Sequence, residues 1–290
     1  MSCNRSLNII DISSSTIASM RILQFSFWAG ALSTLHTVTA QSGKRYSDIK
    51  TKLTGSLASP GVTTHGPYSI YHCHANTALV QQDLDLLWAA LLPVIANTHF
   101  GTASPAYQAF FKDSIYDTFV DEIISNVTTG APLLKKNSAT PQSPLIVCIP
   151  GPNILNMTIA GVETDLYDAC KSGTAAFYQP QTNWIFLCPF FFKLVQQATT
   201  PAAFCPAITN NQFEENGQEG KLVQNQMWIL MHEIIHFYLD SSPGPATSSI
   251  YEAYDINAVF GLAVSDAISN AQSYIWYSAC KSLAFPVGMS

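Results

Sequence analysis

The clearest periodic pattern in the chain lies between Leu222 and Tyr238, where apolar residues recur at close to helical spacing. The apolar positions are Leu222, Val223, Met227, Leu230, Met231, Ile234, Ile235 and Tyr238. Gln224 to Gln226 fall on the opposite side. The segment Ser241 to Pro245 follows, and its two prolines and one glycine cannot continue a helix. The pattern therefore predicts an amphipathic helix that ends before a sharp turn.

Two further helices are predicted nearer the N-terminus. Apolar residues spaced around Leu84 and Leu91 predict a helix from Asn76 to Asn97, with Pro93 kinking its end. Ser104-Pro105 is then predicted to start a second helix, Ala106 to Asn126, because proline is favoured at the first helical position.

Strand character follows in three short apolar segments: Pro144 to Ile149, Ala175 to Tyr178 and Asn183 to Cys188. A closing helix is predicted from Ser265 to Ser282. The order of helices, a small sheet, the 222–238 helix and a closing helix indicates an α+β fold. We expect a cleft between an upper lobe of helices and sheet and a mostly helical lower lobe.

The first 40 residues are predicted to be an N-terminal extension and a secretory signal peptide. A charged start at Met20, a largely apolar segment to Val38 and small residues up to Ala40 are typical of such a signal. We therefore take Met20 as the true start, expect cleavage after Ala40 and assign one domain to residues 41–290. Residues 41–71 are rich in Ser, Thr, Gly and Pro, and we interpret them as a propeptide remnant, a strap or a loosely structured arm.

Composition limits the partners that we expect. Hydrophobic residues make up 48% of the chain and charged residues only 11%, with a net charge of −6. This acidic balance argues against a nucleic-acid phosphate backbone as partner. No segment after the signal is long and apolar enough to span a bilayer. We expect a monomer without nucleic-acid or membrane partners.

Cysteines and glycosylation motifs agree with a secreted, extracellular protein. Six of the seven cysteines lie after the expected cleavage point: Cys73, Cys148, Cys170, Cys188, Cys205 and Cys280. An even set in an oxidising compartment predicts up to three disulfides, with fifteen possible pairings left open. Asn126-Val127-Thr128 and Asn156-Met157-Thr158 are acceptor motifs for N-glycosylation.

The most informative motif is His232-Glu233-Ile234-Ile235-His236, inside the predicted amphipathic helix. Residues four apart share a helix face, so His232 and His236 can bind one metal ion. Glu233 lies beside that ion and can accept a proton from metal-activated water. The chemistry indicates a Zn²⁺ hydrolase. The alternative is a pair of core histidines with a glutamate on the helix surface.

A second histidine motif, His72-Cys73-His74, is less informative. Successive residues of a strand face opposite ways, so Cys73 and the histidines would not converge on one ion. We expect Cys73 to form a disulfide instead.

The segments around the metal motif resemble those of the fungal aspzincins, a family that includes the deuterolysins and the peptidyl-Lys metalloendopeptidases. Leu262 to Tyr277 is similar to their closing helix, and Asn183 to Phe191 is similar to their strand and Leu-Cys-Pro signature. The N-terminal helices match only loosely. The resemblance implies a zincin-like metalloprotease fold with a small mixed sheet.

The family's third zinc ligand is an aspartate just before the closing helix, and that motif is not intact in this chain. An ungapped match aligns Tyr254 with the family's tyrosine and Tyr251 with the ligand aspartate. Glu252 lies one step away, whereas Asp255 keeps the residue type but needs a larger slip. We prefer Glu252, with Asp255 as the second choice and Asp240 or no carboxylate as further alternatives. Each acid could also be an ordinary carboxylate at a helix N-terminus.

These observations predict a secreted zinc metalloendopeptidase that acts on protein or peptide substrates. Tyr254 is the candidate second donor to the oxyanion, by analogy with the family, or else a packing tyrosine. The strand from Asn183 to Leu187 is expected to hold an extended substrate at its edge. The alternatives are a secreted zinc-binding protein with little or no turnover, such as a metal scavenger or host-interaction factor, and an inert adhesive glycoprotein.

Overall fold

The computed structural model describes residues 21–22, 62–98, 105–135, 139–154, 156–159, 162–166, 169–170, 173–196, 208–209, 212–213, 225–240 and 252–280. The helices are α1 (Thr77–Thr98), α2 (Pro105–Phe110), α3 (Asp117–Thr129), α4 (Gln226–Leu239), α5 (Ile256–Phe260), α6 (Val264–Ala267) and α7 (Ala271–Cys280). The strands are β1 (Arg21–Ile22), β2 (Val62–His65), β3 (Tyr68–Tyr71), β4 (Leu145–Cys148), β5 (Asn156–Ile159), β6 (Val162–Asp165), β7 (Ala176–Gln179), β8 (Trp184–Leu187), β9 (Ile208–Thr209) and β10 (Gln212–Phe213). Helices and a mixed sheet together confirm the predicted α+β class.

Six strands form the main sheet in the order β1-β7-β8-β4-β3-β2. β4 is parallel to both β3 and β8, and the other pairs are antiparallel. β1 lies inside the segment for which a signal peptide is predicted. The three strands predicted from the apolar segments are confirmed as β4, β7 and β8.

β8 lies in the interior of this sheet, so the expectation that it offers an edge to substrate is wrong. Its backbone pairs with β7 on one side and with β4 on the other. An extended peptide adds only to a strand with free N–H and C=O groups, and β8 has none to offer along its length.

Alternate residues of the sheet pack into two hydrophobic cores. Ile185 and Leu187 of β8 join the core shared with the helices, whereas Trp184 and Phe186 face the β5–β6 hairpin. All four side chains are buried. Burial on both faces explains why this strand is a continuous apolar segment rather than an alternating one.

The N-terminal arm predicted for residues 41–71 is in part wrong, because residues 62–71 form the β2–β3 hairpin and β3 joins the main sheet. The hairpin turns at Gly66, whose φ of +54° suits glycine. A Cβ there would lie 2.5 Å from the indole ring of Trp88. These two strands were not predicted because they contain polar Thr and His residues, whereas the predicted strands were identified as apolar segments.

The helix predicted from Ala106 to Asn126 is wrong as a single element. Pro105 does begin α2, but the chain leaves helical geometry at Lys112, where φ is +62°. The Asp113 carboxylate then accepts the Ile115 N–H at 3.0 Å and starts a new helical segment. Aspartate competes well for such N-terminal positions, and the hydrophobic period does not reveal the break.

The closing helix is likewise interrupted, because α6 ends at Ala267 and α7 begins at Ala271. Asn270 lies in the gap, and its amide donates to the carbonyl of Ala253 and to Ser273 Oγ. The bond to Ala253 is a tertiary contact that holds Asn270 between the two helices. The first helix, by contrast, continues through Pro93 to Thr98.

Two disulfides join Cys73 to Cys148 and Cys170 to Cys188, and Cys280 is disulfide-bonded as well. Cys73–Cys148 connects the end of β3 to the end of β4, as expected for a Cys73 that is not a metal ligand. No helix in the described part of the chain is long and apolar enough to cross a membrane. The expected cleavage site at Ala40, the turn at residues 241–245 and Cys205 lie outside the described residues.

Asp83, in α1, is a fully buried acid. Its Oδ1 accepts the Gln196 amide at 3.1 Å, and its Oδ2 has no hydrogen-bond partner in the described part of the chain. Gln196 also donates to the Leu79 carbonyl and so ties the 194–196 segment to α1. Burial raises the pKa of Asp83 to about 7, and the bond from Gln196 lowers it only in part.

We expect Asp83→Asn to stabilise the protein at about pH 8 and to have little effect near pH 4. The unfolded chain ionises this carboxyl from about pH 4, whereas the folded chain holds its proton to about pH 7. Stability is therefore lost as pH rises through that window, by up to roughly 4 kcal/mol. Urea unfolding of the parent protein and of Asp83→Asn at several pH values measures the difference in their free energies of unfolding. Glu122→Gln, which changes an exposed acid in α3, is the control. A stabilisation by Asp83→Asn that does not grow with pH would contradict the burial argument.

Candidate metal centre

Helix α4 carries the metal motif and is buried on every side. All of its residues from Gln226 to Leu239 are buried, including His232, Glu233 and His236. The Asn225 side chain begins the helix by accepting the Met227 N–H at 3.0 Å. The helix packs against α1, α3, α7 and β7. The predicted helix is present, and it is a central element of the fold.

The side chains of His232, His236 and Glu252 bring their donor atoms together. His232 Nε2 and His236 Nε2 are 3.1 Å apart. Glu252, from the loop after α4, places Oε1 3.3 Å from the first nitrogen and Oε2 3.2 Å from the second. These three residues form a group that could hold a metal ion.

The spacing of these donor atoms fits a tetrahedral ion. Nitrogen and oxygen ligands at about 2.0–2.2 Å from zinc lie roughly 3.3–3.6 Å from one another. The two ring nitrogens, 3.1 Å apart, are close to that edge length, and each nitrogen has a different Glu252 oxygen at a similar distance, 3.3 Å for Oε1 and 3.2 Å for Oε2. Neutral imidazoles and a carboxylate are also the donor types that zinc accepts.

The charges of these residues are strongly coupled. Burial raises the pKa of Glu252, but the nearby His236 and His232 more than reverse this and hold it well below the ordinary value. Burial lowers the pKa of His232, whereas Glu252, Glu233 and a bond to Gln272 raise it, and the net shift is upward. The site therefore favours an ionised carboxylate and attracts positive charge, from a proton or from a metal ion.

Glu233 lies one residue after the first histidine and is 1% exposed. Its negative charge contributes to the raised pKa of His232, so the carboxylate is close to the candidate ligand. The helix thus presents a second carboxylate to the site without placing it among the three converging donors.

The remaining candidate residues are used in other ways. Asp255 caps α5 by accepting the Ala258 N–H at 2.9 Å, and Asp240 Oδ2 accepts the Tyr178 hydroxyl at 3.1 Å. The Tyr254 hydroxyl donates to Glu252 Oε2 at 3.1 Å, and its ring stacks on His232 at a centroid distance of 5.7 Å. Of the acids considered for the third ligand, only Glu252 lies with the two histidines.

Helix α7 supplies supporting contacts that the sequence analysis missed. Gln272 Oε1 lies 3.0 Å from His232 Nδ1, on the side of the ring away from Glu252. The Asn270 amide and the Trp276 indole donate to the carbonyls of Ala253 and Tyr254. The loop carrying Glu252 is thereby fixed to α7. The resemblance drew attention to this segment, but no residue type in it signals a contact with a histidine.

A buried lysine holds the other end of α4. Lys135 is 2% exposed and donates to the Phe237 carbonyl and to the Tyr178 hydroxyl. Its ammonium lies 3.6 Å from the centroid of the Phe237 ring. Burial lowers the pKa of Lys135 to about 7, against an opposing effect of Asp240. A donor at the last turn of a helix satisfies its free carbonyls.

Comparison with known proteins gives one partial match. A segment of 115 residues is 27% identical to a "Neutral protease 2 homolog" from Colletotrichum graminicola, and it covers 40% of this chain and 26% of that relative. The match thus spans about a quarter of the relative's length. No protein-family model matches the chain.

Proposed function

We propose that this protein is a secreted zinc-dependent metalloendopeptidase that hydrolyses peptide bonds of protein substrates. The observation that carries the proposal is the convergence of His232 Nε2, His236 Nε2 and the Glu252 carboxylate, whose donor atoms lie close enough to share one metal ion. The similarity to a protein named as a neutral protease homolog supports it. Two buried disulfides in the described residues fit the oxidising route of a secreted protein.

In this proposal His232, His236 and Glu252 would hold Zn²⁺. Zinc bound there would polarise the substrate carbonyl and lower the pKa of water to about 7. Gln272 accepts the Nδ1–H of His232, so that Nε2 keeps the lone pair that a ligand needs. Asp255 is not included among the ligands, because its carboxylate is committed to the cap of α5.

Glu233 is the proposed general base and acid. It takes a proton from the attacking water and passes it to the leaving amine. Its burial at 1% exposure keeps its charge poorly screened and close to the reacting atoms. Tyr254 orients the Glu252 carboxylate through its hydroxyl, and it could serve the oxyanion only by exchanging that partner.

The proposed substrate edge is β7 and not β8. β1 pairs with the outer edge of β7, and β1 belongs to the segment expected to be removed with the signal peptide. Its removal would free that edge beside α4, which β7 contacts through Tyr178 and Phe237 with ring centroids 6.2 Å apart. An extended peptide would then add to β7 by backbone hydrogen bonds.

A secreted zinc-binding protein without turnover is the second candidate. It is favoured by the third candidate ligand, Glu252, because the resembled family has an aspartate as its third ligand. Metal content alone does not separate the two candidates, whereas chelator-sensitive cleavage of an unfolded protein substrate does.

We expect Glu233→Gln to keep stoichiometric zinc and to lower proteolysis by about 10²–10⁴-fold, because an amide cannot accept the proton. Zinc content by mass spectrometry and cleavage of a fluorescent casein measure the two effects. Glu163→Gln makes the same chemical change at an exposed site on β6 and should leave both unchanged. Undiminished cleavage by the Glu233 variant would end the endopeptidase proposal.

We expect Glu252→Ala to weaken zinc binding sharply, because only two imidazoles would remain, and Asp255→Ala to retain zinc. Asp255→Ala should instead cost about 1 kcal/mol through the lost helix cap. Competition with a chromogenic chelator and thermal unfolding report the two quantities. The ligand assignment fails if Asp255→Ala empties the site while Glu252→Ala stays loaded. Zinc loss in neither variant would favour a ligand elsewhere.

We expect Gln272→Leu to weaken zinc binding by about 10–100-fold, because His232 loses the acceptor that orients its ring. Gln272→Glu should restore binding, since a carboxylate accepts the same N–H. Gln226→Leu is the matched control: Gln226 is equally buried but donates to the Leu194 carbonyl. Equal zinc affinities for Gln272→Leu and Gln226→Leu would show that Gln272 only packs.

A further inference from the structure

His72 and His74 bring two imidazole rings together at the end of β3. Their ring centroids are 4.4 Å apart, and the ring planes meet at 71°. His232 and His236 of the candidate metal centre have nearly the same mutual arrangement, with centroids 4.7 Å apart and planes at 78°. The two pairs of imidazole rings are thus similarly close and similarly inclined.

The backbone of this pair is strained. His72 has a φ of +63° and His74 a φ of +46°, in the left-handed region that residues with a Cβ rarely adopt. Such conformations persist only where the surroundings enforce them, and they concentrate at functional sites. Two such residues, separated only by Cys73, therefore need an explanation beyond the turn that the chain makes here.

The disulfide of Cys73 supplies the enforcing frame. Cys73 lies between the two histidines, is 4% exposed and is bonded to Cys148 at the end of β4. Its carbonyl also accepts the Asn76 N–H at 2.8 Å and so closes the turn that precedes α1. Because its sulfur is in the disulfide, Cys73 holds the histidines in place without being a ligand itself.

One ring nitrogen of the pair lacks a hydrogen-bond partner. His72 Nδ1 is buried and makes no hydrogen bond to any of the described residues, and the ring stacks on Tyr71 with centroids 5.8 Å apart. His74, by contrast, is exposed, so the pair is open to solvent on that side. A buried nitrogen without a partner is costly, and a bound cation would use its lone pair.

We propose that His72 and His74 form a second transition-metal site, which shares no ligand with the His232, His236 and Glu252 group. Two imidazoles select divalent ions such as Cu²⁺, Ni²⁺ and Zn²⁺, with Cu²⁺ bound most tightly. Water completes the coordination shell, because no further His, Cys, Asp or Glu in the described residues joins this pair in a group of three. The site therefore binds an exchangeable ion from solution.

The test is copper uptake by the mature protein after incubation with excess zinc. Cu²⁺ is added, free metal is removed by gel filtration, and both metals are counted while electron paramagnetic resonance reports the nitrogen ligands. We expect one copper per chain with hyperfine structure from two imidazoles. His72→Gly and His74→Gly should each lose that copper.

Glycine is the chosen substitution because it adopts a positive φ without strain. Both variants should therefore unfold at the same temperature as the parent or higher, so a loss of copper is not a loss of fold. His65→Ala is the control, since His65 binds Asp85 and stacks on Trp88 away from the pair, and it should keep the copper.

The proposal is overturned if the parent protein retains no copper with two-imidazole hyperfine structure, or if either glycine variant retains it unchanged. The outcome is independent of the zinc peptidase proposal. If His232 and His236 take up copper instead of zinc, that copper would remain in His72→Gly and His74→Gly. The copper ion per chain that these variants lose would still report the second site.

Discussion

The complete burial of α4 is the constraint on which the rest of the structure depends. Every residue from Gln226 to Leu239 is buried, so the helix cannot send the polar groups of His232, Glu233 and His236 to water. Buried polar groups need partners, and buried charges need opposite charges or metal ions. Glu252, from the loop after α4, and Gln272, from α7, supply such partners to the histidines.

The helix is held at both ends by side chains from distant parts of the chain. Asn225 begins it, and Lys135 binds the carbonyl of Phe237 in its last turn. On the side of the candidate site, Asn270 and Trp276 fix the backbone of the loop that carries Glu252. A metal site needs its donors at defined separations, and these contacts give a flexible glutamate the required fixed position.

The two histidine pairs differ in what surrounds them. The pair in α4 has a carboxylate against both rings and a second carboxylate close by, so its charge favours a tightly held cation. No acid among the described residues joins the pair of His72 and His74 in a group of three, and this pair reaches solvent through His74. Similar ring geometry therefore leads us to expect a resident ion in the first case and an exchangeable one in the second.

Local pattern predicted the parts of the fold that depend on local physics. The apolar segments gave β4, β7 and β8, helical spacing gave α1 and α4, and Pro105 marked the start of α2. The same patterns did not reveal the break at Lys112 or the gap at Asn270. At both positions a polar side chain finds a partner that competes with the helix, and hydrophobic spacing carries no information about such partners.

The sequence by itself determined the chemistry of the candidate site, because His232, Glu233 and His236 lie on one helix and their spacing fixes their relation. It left Glu252 and Asp255 open as partners, since both lie in one short segment and differ only in register. Tertiary structure separated them: Asp255 caps α5, and Glu252 lies against both imidazoles. It also brought Gln272 to His232 across 40 residues of chain, as no local pattern records which distant side chain fills the space beside a ring.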